Sequence, residues 1–246
     1  MFVDLNTRKM RVPLQDSTTV HHCFKIESVM PRLPFITFEG SEGCGKTTQV
    51  QRLAARFERL GIPFLVTREP GGTAIGETIR DLLQFSPHNS AMTSEAELLL
   101  FEASRSQLVR EIIKPALERG VCVIADRFFD STTVYQGAAR KLDRRIVDAL
   151  NAFAVGDCIP DVTFVLDVDA ATANSRMKEP RRPDRMEQQP AEFYESVREA
   201  YRELATRESK RVVRIDGSQP ADKIENVIWE TLTSRFPALT GQSAGS

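Results

Sequence analysis

The sequence predicts an α/β fold in which a five-stranded parallel sheet lies between layers of helices. The chain has 246 residues, which is enough for one large domain with a substantial core. Short runs rich in Val, Ile and Phe alternate with longer amphipathic stretches, and this alternation is typical of parallel sheets. A glycine-rich segment, Gly40–Thr48, directly follows the first apolar run, at the place where a strand would lead into a helix.

Five apolar runs are short enough to be buried strands, and each is bounded by Gly, Pro or Asp. The predicted strands are Phe35–Glu39, Phe64–Arg68, Val121–Asp126, Val162–Val168 and Val212–Asp216. Between the first two, the pattern predicts a helix over Lys46–Leu60 that ends at Gly61 as a C-terminal cap. Helices are expected to fill the other gaps as well.

A second helix is predicted from a capping box formed by Ser94 and Glu97. It is expected to run at least to Val109. Pro115 lacks a backbone donor, so it is expected to kink or restart the helix before Gly120.

The two ends of the chain differ from the predicted domain, which spans residues 34–236. Residues 1–33 show no sustained periodicity and are expected to form a disordered extension. Three acidic residues, Asp4, Asp16 and Glu27, disfavour a mitochondrial presequence there, and Met30 is an alternative start of the protein. Residues 237–246 are small and polar and are expected to form a flexible tail.

Charge and cysteine content narrow the class of protein. Lys+Arg 33 against Asp+Glu 34 gives a formal charge of -1, so no basic field favours long nucleic acids or membrane surfaces as partners. No apolar run approaches the roughly 18 residues of a membrane span. The cysteines are widely spaced and form no zinc-type cluster, which indicates reduced thiols in a cytoplasmic protein.

The segment GSEGCGKTT matches the phosphate-binding pattern G-x-x-x-x-G-K-[ST] between a predicted strand and a predicted helix. Its glycines allow backbone N–H groups to curl around a phosphate, in front of a helix N-terminus. Lys46 is placed to bridge the β- and γ-phosphates of ATP, and the Thr47 hydroxyl to bind Mg²⁺. We therefore expect a P-loop NTPase fold. The predicted ATP phosphate-binding residues are Gly40, Ser41, Glu42, Gly43, Cys44, Gly45, Lys46, Thr47 and Thr48.

A P-loop alone is compatible with GTPases, ATPases, small-molecule kinases and sulfotransferase-like proteins. No Asp lies three residues before a glycine and no N/TKxD guanine-binding motif is present, which disfavours a GTPase. A motor-type ATPase would need an apolar strand that ends in consecutive acids. Here the third predicted strand ends in Asp126 followed by Arg127, and one acid followed by arginine favours a kinase.

The sequence resembles the thymidylate kinase family through four motifs in the family's order. They are FEGSEGCGKTTQ, TREPGGT, the FxxxR of LLLFEASRSQLV, and DRFFDSTTVYQG. The similarity covers roughly Pro34 to Arg235, and TREPGGT is its most diagnostic part. The resemblance implies transfer of the γ-phosphoryl group of ATP to dTMP with Mg²⁺, by an enzyme that is a homodimer.

The resemblance also implies a dTMP site. Phe101 and Arg105 are four residues apart on one helix face, and the family implies that Phe101 stacks on thymine while Arg105 hydrogen-bonds its edge. Arg68 and Arg127 lie at the carboxyl ends of predicted strands, where open α/β folds bind ligands. The family implies that these two arginines hold the acceptor phosphate.

Four further residues complete this predicted dTMP site. Glu42 is implied to face the 3′-hydroxyl of dTMP, and the ring of Tyr135 to crowd the 2′ position and so favour deoxyribose. Ser131 and Gln136 are predicted to contact the nucleotide. Asp126 is predicted to support the Mg²⁺ shell together with Thr47.

An arginine-dense segment, residues 176–189, lies between two predicted helices and is expected to be a lid over ATP. Some family members carry an arginine in the phosphate loop directly after the acidic residue, but here that position is Gly43. By resemblance to the family's DR-x-E pattern, Arg185 is predicted to reach the transferred group, with Arg181 and Arg182 as supporting charges. The predicted catalytic residues are Lys46, Arg127 and Arg185.

Two other interpretations stay open beside a dTMP kinase. One is a different nucleoside or nucleoside-monophosphate kinase, and the other is a nucleotide-binding module that does not catalyse. The joint presence of Lys46, Thr47, Asp126 and Arg127 favours an enzyme.

Overall fold

The computed structural model describes residues 32–176 and 189–240. Within them, five strands form one parallel sheet in the order β2-β3-β1-β4-β5. The strands are β1 Phe35–Glu39, β2 Phe64–Arg68, β3 Cys122–Asp126, β4 Val162–Asp167 and β5 Val212–Asp216. The predicted α/β class and five-stranded parallel sheet are confirmed, although β3 begins one residue later and β4 ends one residue earlier than predicted.

Helices connect the strands and cover the sheet. The α-helices are α1 Lys46–Leu60, α2 Ala74–Gln84, α3 Ser94–Leu108, α4 Lys114–Glu118, α5 Phe129–Thr132, α6 Arg144–Val155, α7 Ala170–Arg176, α8 Ala191–Arg207 and α9 Ala221–Arg235. Shorter turns are the 3₁₀ segments Asn89–Ala91 and Pro237–Thr240 and the π-helical segments Val109–Ile113 and Thr133–Ala139. No helix in this part of the chain is long and apolar enough to cross a membrane.

The core lies on both faces of the middle strand, β1, whose residues are all buried. Side chains alternate along a strand, so Ile36 and Phe38 point to one face and pack with Leu53 of α1. Phe35 packs on the other face with Leu108 at the end of α3. The sheet is therefore the middle of three layers, and its central strand leads directly into the phosphate loop.

Helix α1 forms as predicted. Its residues Val50, Leu53 and Phe57 are buried at the three- and four-residue spacing of one helix face. Gly61 adopts a left-handed φ of 67° and donates its N–H to the carbonyl of Glu58, which is the glycine cap that the sequence predicts.

The predicted capping box at the start of α3 is wrong by one residue. The N-cap is Thr93, whose Oγ1 accepts a hydrogen bond from the N–H of Ala96 at 3.2 Å. Glu97 lies in the buried interior, where it accepts a hydrogen bond from Gln136 Nε2 at 2.8 Å. The helix passes into the π-helical segment at Val109 and restarts as α4, as expected from Pro115 in its first turn.

Three predicted segments lie wholly or partly outside the described residues. The extension 1–33 is described only at Arg32 and Leu33, and the lid 176–189 only at Arg176 and Gln189. Pro237–Thr240 form a 3₁₀ turn in which Leu239 is buried in the core, and the flexibility of the predicted tail, residues 237–246, stays a prediction. Residues 241–246 are outside the described part.

Candidate active site

The site lies at the carboxyl edge of the sheet, where β1 and β3 end side by side. Phe38 of β1 is paired with Asp126 of β3, and the N–H of Arg127 donates to the carbonyl of Phe38 at 2.9 Å. The parallel register therefore places the phosphate loop next to the Asp126–Arg127 pair, although the two are far apart in the sequence.

The phosphate loop requires glycine at its first position. Gly40 has a φ of 135°, and a Cβ there would lie 2.6 Å from the carbonyl oxygen of Leu166 and 2.8 Å from Cys44 Sγ. The buried Lys46 folds back over the loop, where its Nζ donates to the carbonyls of Gly40 at 3.1 Å and Ser41 at 2.9 Å. The ammonium thus lies beside the loop, with two of its backbone carbonyls as partners.

Two predicted metal-binding side chains are in direct contact. Thr47 Oγ1 donates a hydrogen bond to Asp126 Oδ2 at 2.7 Å. A hydroxyl beside a carboxylate is the kind of oxygen donor set that Mg²⁺ takes together with phosphates and water. The described residues contain no cluster of three or more His, Cys, Asp or Glu side chains suited to a metal.

Arg127 is the centre of a polar cluster that connects the phosphate loop to the helix after β3. Its backbone has a left-handed φ of 71°. One terminal nitrogen donates to Glu42 Oε1 at 2.8 Å and to the Tyr135 hydroxyl at 3.3 Å, and the other donates to Ser131 Oγ at 3.2 Å. Four of the predicted site residues are therefore brought together.

Tyr135 supports this cluster in two ways. Its ring lies under the Arg127 guanidinium, 5.1 Å from centroid to Cζ, and its hydroxyl donates to Glu42 Oε2 at 3.0 Å. Burial raises the pKa of the Tyr135 phenol well above its ordinary value, so the phenol remains a donor at neutral pH. Glu42 thus has two partners that hold its carboxylate within the loop.

A cavity of about 330 Å³ opens from the phosphate loop towards α2 and α3. Its wall contains eleven of the predicted site residues: Glu42, Gly43, Lys46, Thr47, Arg68, Phe101, Asp126, Arg127, Ser131, Tyr135 and Gln136. The sequence analysis missed five others: Glu69, Pro70, Arg80, Gln84 and Thr132. Two sequence signals could have identified four of them. Glu69 and Pro70 belong to the TREPGGT motif, and Arg80 and Gln84 are four residues apart and so share one face of α2.

The two remaining arginines of the predicted dTMP site have different environments. Arg68 lines the cavity, and its side chain is half exposed while it pairs with Glu77 at 2.7 Å. Arg105 is only 1% exposed and lies behind the wall, where it donates to Glu69 Oε2 at 2.6 and 2.8 Å and forms a short contact with Glu102. The structure does not bring Arg105 to the cavity surface beside Phe101, so its contact with thymine stays a prediction.

Glu69, which pairs with Arg105 in this buried cluster of charged side chains, has a shifted pKa. Burial raises its pKa to about 7, although the positive charge of Arg105 opposes the shift. One of its carboxyl oxygens, Oε1, has no hydrogen-bond partner among the described residues. The cavity wall therefore includes a carboxyl group that changes protonation near neutral pH.

The other predicted phosphate-binding residues follow the path of the loop. Ser41, Cys44 and Gly45 lie between β1 and α1, and Thr48 is exposed in the first turn of α1. Cys44 is buried, with its Sγ 3.6 Å from Lys46 Nζ. The predicted catalytic Arg185, and Arg181 and Arg182 beside it, lie outside the described residues.

Comparison with known proteins identifies chains that are similar to this one over most of its length. The family model described as "Thymidylate kinase" matches residues 38–228. A thymidylate kinase from Afipia carboxidovorans is 46% identical over 205 residues, which cover 82% of this chain and 90% of the relative. One from Fervidobacterium nodosum is 46% identical over 194 residues, covering 79% and 95%.

A solved structure is similar as well. The crystal structure of thymidylate kinase from Ehrlichia chaffeensis matches with a TM-score of 0.67 and 36% sequence identity, covering 82% of this chain and 99% of that chain. The range matched by the family model contains the phosphate loop, the Arg127 cluster and all residues of the cavity wall.

Proposed function

The chain belongs to the thymidylate kinase family, and from this premise we propose which of its residues bind ATP and dTMP. As a dTMP kinase it transfers the γ-phosphoryl group of ATP to dTMP, a step in dTTP biosynthesis. One observation carries the assignment of the sites: a single cavity connects Lys46 of the phosphate loop with Arg68, Arg127 and the ring of Phe101. The phosphate loop, where the transferred phosphoryl group would lie, thus adjoins a cavity suited to a nucleoside monophosphate.

We assign the cavity to dTMP. Its volume of about 330 Å³ lies within the usual range of small-ligand sites. The two phosphate charges would face Arg68 and Arg127, since guanidinium groups offer planar pairs of donors to such oxygens. The thymine ring would lie against Phe101, and Gln136 and Ser131 would contact the nucleotide.

The sugar would lie between these ends, next to Glu42 and Tyr135. The Glu42 carboxylate would accept a hydrogen bond from the 3′-hydroxyl of dTMP. The ring of Tyr135, held by its contacts with Arg127 and Glu42, would leave little room for a 2′-hydroxyl. This arrangement favours deoxyribonucleotides.

The phosphates of ATP would lie on the phosphate loop and the first turn of α1. On their arrival, Lys46 would exchange the carbonyls of Gly40 and Ser41 for phosphate oxygens. Thr47 and Asp126 would hold Mg²⁺, and the bound metal would neutralise negative charge on the ATP phosphates.

Transfer needs placement and charge compensation, with no general base. An anionic oxygen of the dTMP phosphate attacks the γ-phosphorus, a new P–O bond forms, and the bond to the β-phosphate oxygen breaks. Lys46 and Arg127 would stabilise the charge that spreads over the equatorial oxygens. Arg185 remains our candidate for a further positively charged side chain that contacts the transferred phosphoryl group.

A substrate panel tests this function and both alternatives. The purified protein would be given ATP and Mg²⁺ with dTMP, dUMP, UMP, CMP, GMP or thymidine, and ADP release would be measured, with Lys46→Ala as the inactive control. We expect the highest kcat/KM for dTMP, exceeding dUMP by roughly 10-fold or more through contact with the methyl group. A higher value for thymidine or another monophosphate would identify a different kinase, and ATP binding without transfer to any acceptor would identify a non-catalytic module.

We also propose that the chain forms a homodimer through α2, α3 and α6. These helices pack side by side, and they expose large apolar side chains that include Ile75, Leu99 and, at 76%, Phe153. Exposed apolar patches of this kind mark protein interfaces. Light scattering should give twice the chain mass, and Leu99→Asp with Phe153→Asp should give monomers, whereas a wild-type monomer at micromolar concentration would contradict the proposal.

The described cysteines, Cys44, Cys122 and Cys158, are free and buried. Free thiols are typical of a reducing compartment. We therefore propose that the enzyme works in the cytoplasm.

A further inference from the structure

Glu39 is a fully buried carboxylate next to the active site, and no step described above uses it. It is the last residue of β1, directly before the phosphate loop, and its exposure is 0%. A buried charge is costly unless hydrogen bonds satisfy it. The partners of Glu39 therefore indicate what this carboxylate holds in place.

Both oxygens of Glu39 accept hydrogen bonds from the segment that carries Arg127. Oε1 accepts from the backbone N–H groups of Phe128 at 2.8 Å and Ser131 at 3.3 Å. Oε2 accepts from the Ser131 hydroxyl at 2.6 Å and from the hydroxyl of Tyr201 on α8 at 2.7 Å. The carboxylate thus ties the end of β1 to the residues on either side of the start of α5.

The donors and acceptors of these hydrogen bonds determine how the Ser131 hydroxyl is oriented. An ionised carboxylate only accepts and a guanidinium only donates. With its proton directed to Glu39, Ser131 presents an oxygen lone pair to Arg127, whose terminal nitrogen lies at 3.2 Å. The chain of donation therefore runs from Arg127 to Ser131 to Glu39 without a conflict.

Charge supports the same arrangement. Burial raises the pKa of Glu39, whereas the positive charge of Arg127 opposes that shift and the charge of Asp130 adds to it. Asp130 is itself paired with Arg211, at 2.6 and 2.9 Å. Arg127 thus favours an ionised Glu39, and an ionised Glu39 in turn stabilises the guanidinium at the cavity wall.

We propose that Glu39 is a positioning residue for phosphoryl transfer, which fixes the Ser131 hydroxyl and through it directs the Arg127 guanidinium at the transferred group. Glu42 holds the same guanidinium from the phosphate-loop side. Glu39 itself touches neither nucleotide in this arrangement. The inference rests on the proposed function, in which Arg127 contacts the phosphates.

The variant Glu39→Gln tests this role with almost no change in shape. Its amide would present N–H donors to the Ser131 and Tyr201 hydroxyls, so Ser131 would no longer be held in the orientation that suits Arg127. We expect kcat to fall roughly 10- to 100-fold, the scale of a small misplacement of a catalytic group. KM for ATP should change less than about twofold, because Lys46 and the loop backbone keep their geometry.

Two control variants separate positioning from a general effect on stability. Glu225→Gln alters another buried carboxylate, which pairs with Arg52 at 2.8 Å and Arg56 at 2.7 Å and does not line the cavity. It should lower the midpoint of thermal unfolding without changing kcat. Tyr201→Phe removes one donor from Glu39 Oε2 but leaves Ser131 in place, so its kcat should fall less than that of Glu39→Gln.

The double variant Glu39→Gln/Ser131→Ala gives the decisive result. If Glu39 acts through the Ser131 hydroxyl, the double variant loses no more kcat than Ser131→Ala alone. Wild-type kcat in folded Glu39→Gln, or losses that multiply in the double variant, would overturn the inference. If Glu39→Gln does not fold, wild-type kcat at saturating dTMP in Ser131→Ala would overturn it. A wild-type enzyme without dTMP kinase activity would instead refute the proposed function.

Discussion

Replacement of Arg127 by alanine removes the guanidinium that connects the phosphate loop to the cavity. The wild-type side chain donates to Glu42, Ser131 and Tyr135 and is only 17% exposed. Alanine keeps the Cβ, so the backbone at φ 71° is no more strained than before. The change therefore acts through the lost charge and donors.

The size of the effect follows from two terms. Removal of one preorganised donor from a buried charge-stabilising site costs about 2.7–4 kcal/mol of transition-state stabilisation, or 10²–10³ in kcat. The second term comes from Glu42, which at 14% side-chain exposure would face the incoming phosphates without its arginine partner. We expect kcat to fall at least 10²-fold and KM for dTMP to rise.

The assay is steady-state ADP release at saturating ATP and dTMP, with circular dichroism to show that each variant is folded. A double-mutant cycle with Glu42→Gln tests the pairing at 2.8 Å. Because Glu42→Gln removes the unpaired charge, the double variant should lose less than the sum of the single losses, by about 0.5–3 kcal/mol. Near-wild-type turnover of folded Arg127→Ala would refute the catalytic assignment, and strictly additive losses would refute the pairing.

Three further predictions test other parts of the site. Lys46→Ala should lower kcat by about 10²–10³ at saturating ATP while the fold by circular dichroism is unchanged; turnover like that of the wild type would remove Lys46 from the mechanism. Phe101→Ala should raise KM for dTMP roughly 5- to 10-fold, the scale of one lost ring contact, and leave KM for ATP unchanged; equal changes in both constants would contradict stacking on the base. Burial raises the pKa of Glu69 from 4.5 to about 7, so between these pH values the folded chain binds a proton that the unfolded chain releases. The free energy of unfolding should therefore fall as the pH rises, by roughly 3 kcal/mol. Urea unfolding at several pH values should show a shallower fall for Glu69→Gln, and an identical slope for both proteins would disprove the shift.

The sheet could be predicted closely because buried parallel strands are short apolar runs between chain-breaking residues. Strands β1, β2 and β5 have their predicted bounds. The start of α3 does not follow from the local sequence, because Thr93 and Ser94 are adjacent hydroxyl residues and either can cap a helix. Glu97 does not complete a capping box with Ser94, because its side chain is buried and accepts a hydrogen bond from Gln136, which is distant in the sequence.

The chemistry of the site could be predicted in part for a similar reason. A phosphate loop and the ends of β2 and β3 are local patterns, so the residues on them were found and they meet in one cavity. The FxxxR spacing correctly puts Phe101 and Arg105 on one helix, but spacing contains no information about the carboxylates of Glu69 and Glu102 that receive the guanidinium. Glu39 belongs to the FEGSEGCGKTTQ motif, but its role could not be predicted, because its partners come from the start of α5 and from α8 and meet only in the folded chain.

The central claim is that one cavity places dTMP against Arg127 with its phosphate towards the phosphate loop. A crystal structure with dTMP and a non-hydrolysable ATP analogue tests it most directly. We predict the dTMP phosphate about 3 Å from the guanidinium nitrogens of Arg127 and Arg68 and its base about 4 Å from the ring of Phe101. A dTMP molecule bound elsewhere, or bound in this cavity with its phosphate turned away from Arg127, would contradict the account.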